Sequence, residues 1–337
     1  MKNRVCFPGS LYVFTFYLLM SSKEEILSTT YFFDKNIKKY LREKMPHTYY
    51  IDDTKWYTQN KWIHSLYSIL MNRIKYPELF NSDIYGLDFR WNLLRGHKVN
   101  YIEDGPLVFD IWETGPMYEE YVRFRDSKSL KDNIKKCVFG DYFGYPVATS
   151  NMVTDIYTTA SVEKTYVEGK KKHVVDLAKA WRDSPQDKKD LILSIFDISN
   201  ELLSKMQTKK IILLTQAFSD DKFVTDDEQI EIYRKILLNY DENDVIIKPH
   251  PRDNIDYVNS FHNVMLFDKA ITMQFLAILG VTFERVVTVS SSSALSFGLD
   301  LPVDWYGYKV HPGILRGEGI RTLEAAIENY QRAHGQK

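Results

Sequence analysis

Only two of the 337 residues are cysteine, Cys6 and Cys137, and they stand far apart with no CxxC pair and no cysteine–histidine cluster. That excludes a disulfide scaffold and a structural zinc site, and it makes a reducing compartment the default. An excess of one charge is missing too: 44 Lys plus Arg against 45 Asp plus Glu leaves a net charge of −1, with no nucleic-acid footprint. Neither G-x-x-x-x-G-K-[ST] nor G-x-G-x-x-G occurs, so a P-loop and the standard dinucleotide fingerprint are absent. No internal repeat or low-complexity tract is found. The apolar stretch at 5–20, behind Lys2 and Arg4, has the look of a signal peptide or anchor, but it is too short to span a bilayer and Pro8-Gly9 splits it. It reads better as a strand at 4–7, a turn at Pro8-Gly9-Ser10 and a helix over 10–22 with Ser10 as N-cap.

With 44% hydrophobic and 26% charged residues, the composition is that of a folded protein of about two domains. Aromatic residues make up 14%, with 23 Tyr, which would suit sugar stacking although most belong to the core and surface. Extended pieces at 48–52, 82–88 and 98–105 alternate with helical ones at 60–75 and 116–136, which predicts a parallel sheet covered on both faces. A turn-rich piece follows at 139–146. The run Gly169-Lys170-Lys171-Lys172-His173 reads as a solvated loop that would also suit an acidic acceptor or a membrane surface, and 187–206 as one helix. A second series then begins: strands at 210–216, 245–248, 263–267 and 284–289, and helices over 226–239, capped by Thr225, over 271–280 and from 290, with a terminal helix at 322–333. The predicted domains are 1–205 and 206–337, both doubly wound α/β.

The stretch with most chemistry is VIIKPHPRD at 245–253. A β-branched run feeds a Lys-Pro-His-Pro-Arg turn whose prolines stop helix and central strand alike, so Lys248, His250 and Arg252 sit on stiff backbone at a strand end. In an open α/β sheet that edge is where ligands bind, and three donors there make an anion site. Ser290, Ser291, Ser292 and Ser293 follow VVTV and precede an apolar run, placing hydroxyls and free N–H groups at a strand-to-helix junction. Capping accounts for one serine of the four; phosphate binding accounts for more. Glu103-Asp104-Gly105 ends another strand, either as a simple turn or as a carboxylate facing the anion site. Asp220, Asp221, Asp226 and Asp227 form a further acidic group, the last two suited to stabilising a helix N-terminus whatever the function.

Together these elements resemble the bacterial sialyltransferases, most closely glycosyltransferase family 52. Its three signatures stand in order: Glu103-Asp104-Gly105, His250-Pro251 and Ser290-Ser291, with flanks LLTQAF at 213–218, IIKPHPRDNIDY at 246–257 and IYG at 84–86 also similar. The resemblance implies a GT-B fold, two Rossmann-like domains facing a central cleft. It implies a CMP-sialic acid donor, a terminal galactose of a lipooligosaccharide or capsule glycan as acceptor, a single inverting displacement, and no metal or other cofactor. An Asp-x-Asp element at a strand end, which would hold a metal–diphosphate complex, is lacking. By resemblance His250 contacts the CMP phosphate and acts as general acid, Lys248 and Arg252 add positive charge, and Ser290 and Ser291 bind phosphate oxygens. The general base is Asp226 first and Asp104 second, with Asp220 and Asp221 as competitors. Related enzymes place a glutamate after the 263–267 strand to bond the cytidine ribose; this chain has Gln274 there. The expected protein is cytosolic or membrane-peripheral, and dimers are open by resemblance. The alternatives are an inverting GT-B enzyme with another nucleotide sugar, or a non-catalytic nucleotide- or glycan-binding protein of capsule assembly.

Overall fold

The computed structural model describes residues 3–51, 70–72, 74–94, 96–105, 116–139, 147–161, 167–318 and 322–333. Residues 140–146 of the expected turn-rich piece and most of the expected helix at 60–75 therefore lie outside the described residues, while Phe139 ends the helix Leu130–Phe139. The chain divides into two compact units, Met1–Ile195 with Arg332–Lys337, and Phe196–Gln331.

The first unit is built on a parallel sheet of seven strands in the order β3-β2-β1-β4-β5-β6-β7. They are β1 Asn3–Phe7, β2 Thr30–Phe33, β3 His47–Tyr50, β4 Ser82–Gly86, β5 Val99–Ile102, β6 Val153–Thr158 and β7 Lys171–Val174. The central strands are apolar runs rather than alternating ones, as Val5-Cys6-Phe7 and Tyr31-Phe32-Phe33 illustrate, because both faces are covered. The helix Leu11–Met20 follows β1 directly, and the Ser10 hydroxyl accepts from the Val13 N–H at 3.2 Å. That helix is buried on nearly every side, which is why it carries no charge. Gly86 closes β4 at φ +116°, where a Cβ would lie 2.1 Å from the Phe7 carbonyl oxygen, so β1 and β4 approach each other only with glycine there.

The second unit has a parallel sheet of five strands in the order β10-β9-β8-β11-β12. These are β8 Ile211–Leu214, β9 Val245–Lys248, β10 Met265–Leu266, β11 Arg285–Thr288 and β12 Val303–Trp305. The helix Asp226–Leu237 opens with a complete capping box between Thr225 and Glu228, and sends Tyr233, Ile236 and Leu237 into the core. Strand order reverses between β8 and β11 here and between β1 and β4 in the first unit, which defines a ligand crevice beyond the strands' carboxyl ends in each sheet.

Four expectations are corrected. The lysine run is no loop: Lys171 to Val174 form the edge strand β7, whose exposed lysines discourage further strand pairing. Its inner neighbour β6, with a mixed burial pattern, was not expected at all. The single helix at 187–206 is two, Gln186–Ile195 and Asn200–Gln207, parted at Asp197 with φ +56° and restarted by Ser199 as N-cap. The helix expected from 290 is a 3₁₀ segment, Ser292–Phe297, and Ser291 at its N-cap makes no side-chain capping bond.

Candidate functional site

Three strand ends of the second unit lie side by side. Leu214 pairs with Lys248 on one side and with Thr288 on the other, so the residues two positions on, Gln216, His250 and Ser290, leave adjacent strands about 4.8 Å apart at the carboxyl edge. Ser290 and Ser291 are 4% and 8% exposed, and Ser292 stands open to solvent. The Ser291 N–H donates to Thr288 Oγ1 at 3.0 Å, and that hydroxyl donates to the Leu214 carbonyl at 3.2 Å, tying the serine turn to β8.

His250 is held on three sides. Its N–H donates to Thr215 Oγ1 at 3.0 Å, its carbonyl accepts from the Asp253 N–H at 2.9 Å, and its Nδ1 accepts from the Arg252 N–H at 3.2 Å. With Nδ1 accepting, the neutral ring carries its proton on Nε2. Burial first, and then the positive charges of Arg252 and Lys248, lower its pKa to about 4, against the opposite pull of Asp221 and Asp220. A neutral imidazole with a defined Nε2–H, on the strand end next but one to that of the two buried serines, is equipped to hydrogen-bond an anion; an anion there also favours protonation, which would put the second proton on Nδ1 in place of the Arg252 bond.

The neighbouring candidates divide by what they already do. The exposed guanidinium of Arg252 makes two bonds to Asp221, at 2.6 and 3.0 Å, so much of its charge is answered within the loop. Lys248 is buried at 6% exposure, donates from Nζ to the Lys269 carbonyl at 3.0 Å and lies over the Phe267 ring, which fastens the turn after β10. Gln274 is half-buried in the first turn of the helix Met273–Ile278, capped by Thr272. Asp226 is exposed as the first residue of its helix, whereas Asp220 accepts from Asn254 at 3.0 Å beside the His250 turn.

In the first unit the acidic element ends β5. Glu103 is fully buried: its carboxyl accepts from Tyr12 OH at 2.8 Å, Thr159 Oγ1 at 2.6 Å and the Thr159 N–H at 3.0 Å. Burial raises it to about 7, although all three bonds favour the ionised form. Asp104 accepts from the Ser10 hydroxyl, and burial, with Asp34 adding to it, raises its pKa. Gly105 turns the chain at φ +76°. One strand closer to the reversal, Asp88 is buried and accepts from the Ala148 N–H at 3.0 Å, and among the described residues its Oδ1 has no partner. Among the described residues no group of three or more His, Cys, Asp or Glu is placed to hold a metal ion, and no helix is long and apolar enough to cross a membrane.

The residues not anticipated from the sequence are those beneath the turns: Thr215, Gln229, Asp253 and Tyr257 under His250, and Tyr12 and Thr159 around Glu103. Asp253 was within view as the last letter of PHPRD, but its bonds reach 38 residues back to Thr215, a separation that no local pattern displays.

The sequence profile of glycosyltransferase family 52 matches residues 126–314, more than half of the chain. The chain belongs to glycosyltransferase family 52. The matched span of this family-52 protein contains His250, the serine run and Asp226, while Glu103-Asp104-Gly105 precedes it. An uncharacterized protein of Haemophilus influenzae is 36% identical over 141 residues, covering 42% of this chain and 46% of that protein, so the match spans about half of that relative's length. In structure, the chain is similar to the GT-B domain, residues 113–497, of a sialyltransferase from Photobacterium damselae: TM-score 0.52, 14% identity, 89% of each chain covered. The fold is therefore GT-B, with a parallel Rossmann-like sheet in each unit.

Proposed function

We propose that this family-52 protein is an inverting sialyltransferase that moves sialic acid from CMP-sialic acid to a terminal sugar hydroxyl, galactose by preference, of a bacterial surface glycan. The observation that carries the reading is the state of His250: its Nδ1 accepts from the Arg252 N–H, leaving Nε2 to bear the proton at the edge where β9, β8 and β11 end. In the reaction the CMP phosphate is bound by Ser290 and Ser291 and by the His250 ring, which its negative charge helps to protonate. Protonation of the ring places the second proton on Nδ1, which releases the Arg252 N–H; as the bond from the anomeric carbon to the phosphate oxygen breaks, His250 gives that oxygen the Nε2 proton and is left neutral with its proton on Nδ1. The acceptor hydroxyl attacks the same carbon from the opposite face and loses its own proton to a carboxylate, Asp226 or Asp104, so one C–O bond forms as one breaks. Gln274 contacts the cytidine ribose. No metal ion takes part, since the leaving phosphate is neutralised by the imidazolium and hydrogen bonds.

Incubation with CMP-sialic acid and a lactoside tests the reading. CMP release that requires the acceptor supports transfer. Turnover only with a different nucleotide sugar, or CMP binding without any turnover, overturns it in favour of another GT-B transferase or of a binding protein.

A further inference from the structure

Beneath the His-Pro turn lies a closed set of buried polar groups that takes no part in the steps above. Thr215 is 2% exposed, Asp253 7%, Gln229 0% and Tyr257 1%. Asp253 Oδ2 accepts from Thr215 Oγ1 at 2.6 Å and from Tyr257 OH at 2.8 Å, and at 3.2 Å shares one Gln229 Nε2–H with the Tyr257 hydroxyl, while Oδ1 accepts from the Ile255 N–H at 3.2 Å. An ionised carboxylate only accepts, so the Thr215 hydroxyl must donate to it; the hydroxyl oxygen is then left as an acceptor, and the His250 N–H uses it. The direction of the whole chain is fixed from Asp253 outward. Gln229 extends the same set to the acidic loop, donating to the Gln216 carbonyl at 2.7 Å and accepting from the Ser219 N–H at 2.8 Å.

A carboxylate this deep is costly unless its oxygens are satisfied, and four donors satisfy it here. Such an arrangement is stiff, because moving any member strands another in an apolar surround. The turn bearing His250 is anchored to it twice, by the His250 N–H on Thr215 and by the Asp253 N–H on the His250 carbonyl. We propose that Asp253, acting through the Thr215 hydroxyl, is a positioning residue for His250: it locks the turn so that the resting ring meets the Arg252 N–H through Nδ1 and carries its proton on Nε2, the nitrogen that holds the phosphate before the ring is protonated. This rests on the reading of His250 as the general acid.

The test separates the two. In wild-type protein with ¹⁵N-labelled histidine, neutral His250 is expected as the Nε2–H tautomer, and a dominant Nδ1–H tautomer overturns the proposal without any variant or substrate. Thr215→Val removes the hydroxyl at nearly constant shape and is expected to mix the tautomers and to lower kcat about 10²-fold, the cost of a misplaced catalytic group, with the donor KM close to wild type. Thr215→Ser restores the hydroxyl and should restore both readouts. If the valine and serine variants share one kcat and one tautomer, the hydroxyl positions nothing and the proposal fails. Full activity in His250→Ala would instead remove the general-acid reading, leaving the tautomer measurements to decide on the positioning alone. A valine variant that does not fold leaves the wild-type and serine measurements, each of which can still refute it.

Discussion

The pKa of His250 gives the most demanding check on the proposed donor site. Without ligand the ring is held near 4 by burial and by two neighbouring cations, so at neutral pH it has no proton to give as an acid. A phosphodiester bearing one negative charge about 4 Å from the ring, at an effective dielectric constant of about 20, favours the imidazolium by about 4 kcal/mol. At 1.36 kcal/mol per pH unit that is about three units, which carries the ring from about 4 to about 7, where a general acid works best. Between these values the free ring is neutral and the bound ring protonated, so binding takes up one proton and affinity falls about tenfold for each unit of rising pH, flattening below about 4 and above about 7. An inert phosphodiester analogue of CMP-sialic acid, titrated by calorimetry in buffers of different ionisation enthalpy, measures that proton. The ¹⁵N spectrum of the eight histidines, with His250 assigned by its alanine variant, follows the ring itself. Were the His250 signal to titrate at the same pH with and without the analogue, the phosphate contact and the general-acid role would both be wrong.

Four further outcomes are expected. His250→Ala lowers turnover by about two to four orders of magnitude with less effect on CMP affinity, read by steady-state kinetics alongside calorimetry. Of Asp226→Asn and Asp104→Asn, the base is the one whose loss keeps CMP binding and abolishes transfer, and a pair of fully active variants would exclude both. EDTA leaves the rate unchanged, and strict dependence on an added divalent ion would contradict the proposed chemistry. Burial holds the Asp88 carboxyl neutral up to about 7, so the stability it lends is present below about 3.8 and lost as pH rises toward 7. Relative to wild type, Asp88→Asn should therefore gain about 4 kcal/mol between pH 4 and pH 8 in denaturant unfolding of the protein, and a constant difference across that range would show the carboxyl to be ionised throughout.

The parts of the fold that could be read from the sequence are those specified locally. Ser10 and the pair Thr225–Glu228 cap their helices because side chain and N–H lie three residues apart in the same turn. Central strands such as Asn3–Phe7, Ile211–Leu214, Val245–Lys248 and Arg285–Thr288 announced themselves as apolar runs because parallel strands are covered on both faces, whereas β2, β6, β7 and β12 were not expected. What escaped is specified at a distance or by position within a sheet. Lys171 and Lys172 make a strand only because β6 offers them an edge, and a charged strand at an edge looks, residue by residue, like a loop. Residues 187–206 carry one continuous helical pattern, and the break at Asp197 is visible only in the backbone.

The same distinction governs the site. His250 and the serine pair stood out because prolines and a strand end give them a local signature, yet nothing local says which ring nitrogen holds the proton. That is settled by the Arg252 N–H two residues on, and the turn that presents it is settled by Thr215, which is 35 residues back. The two aspartates ranked as bases illustrate the converse. Asp226 and Asp104 both follow strand-like segments and look alike as letters, but one is exposed in the first turn of a capped helix and the other sits against Ser10 with its pKa raised by burial. A base must be ionised at the working pH and still bind a proton well. Burial brings Asp104 closer to that compromise, whereas position inside the family-matched span speaks for Asp226. Since these two arguments draw on independent properties, the paired asparagine variants test which of them identifies a catalytic carboxylate in this fold.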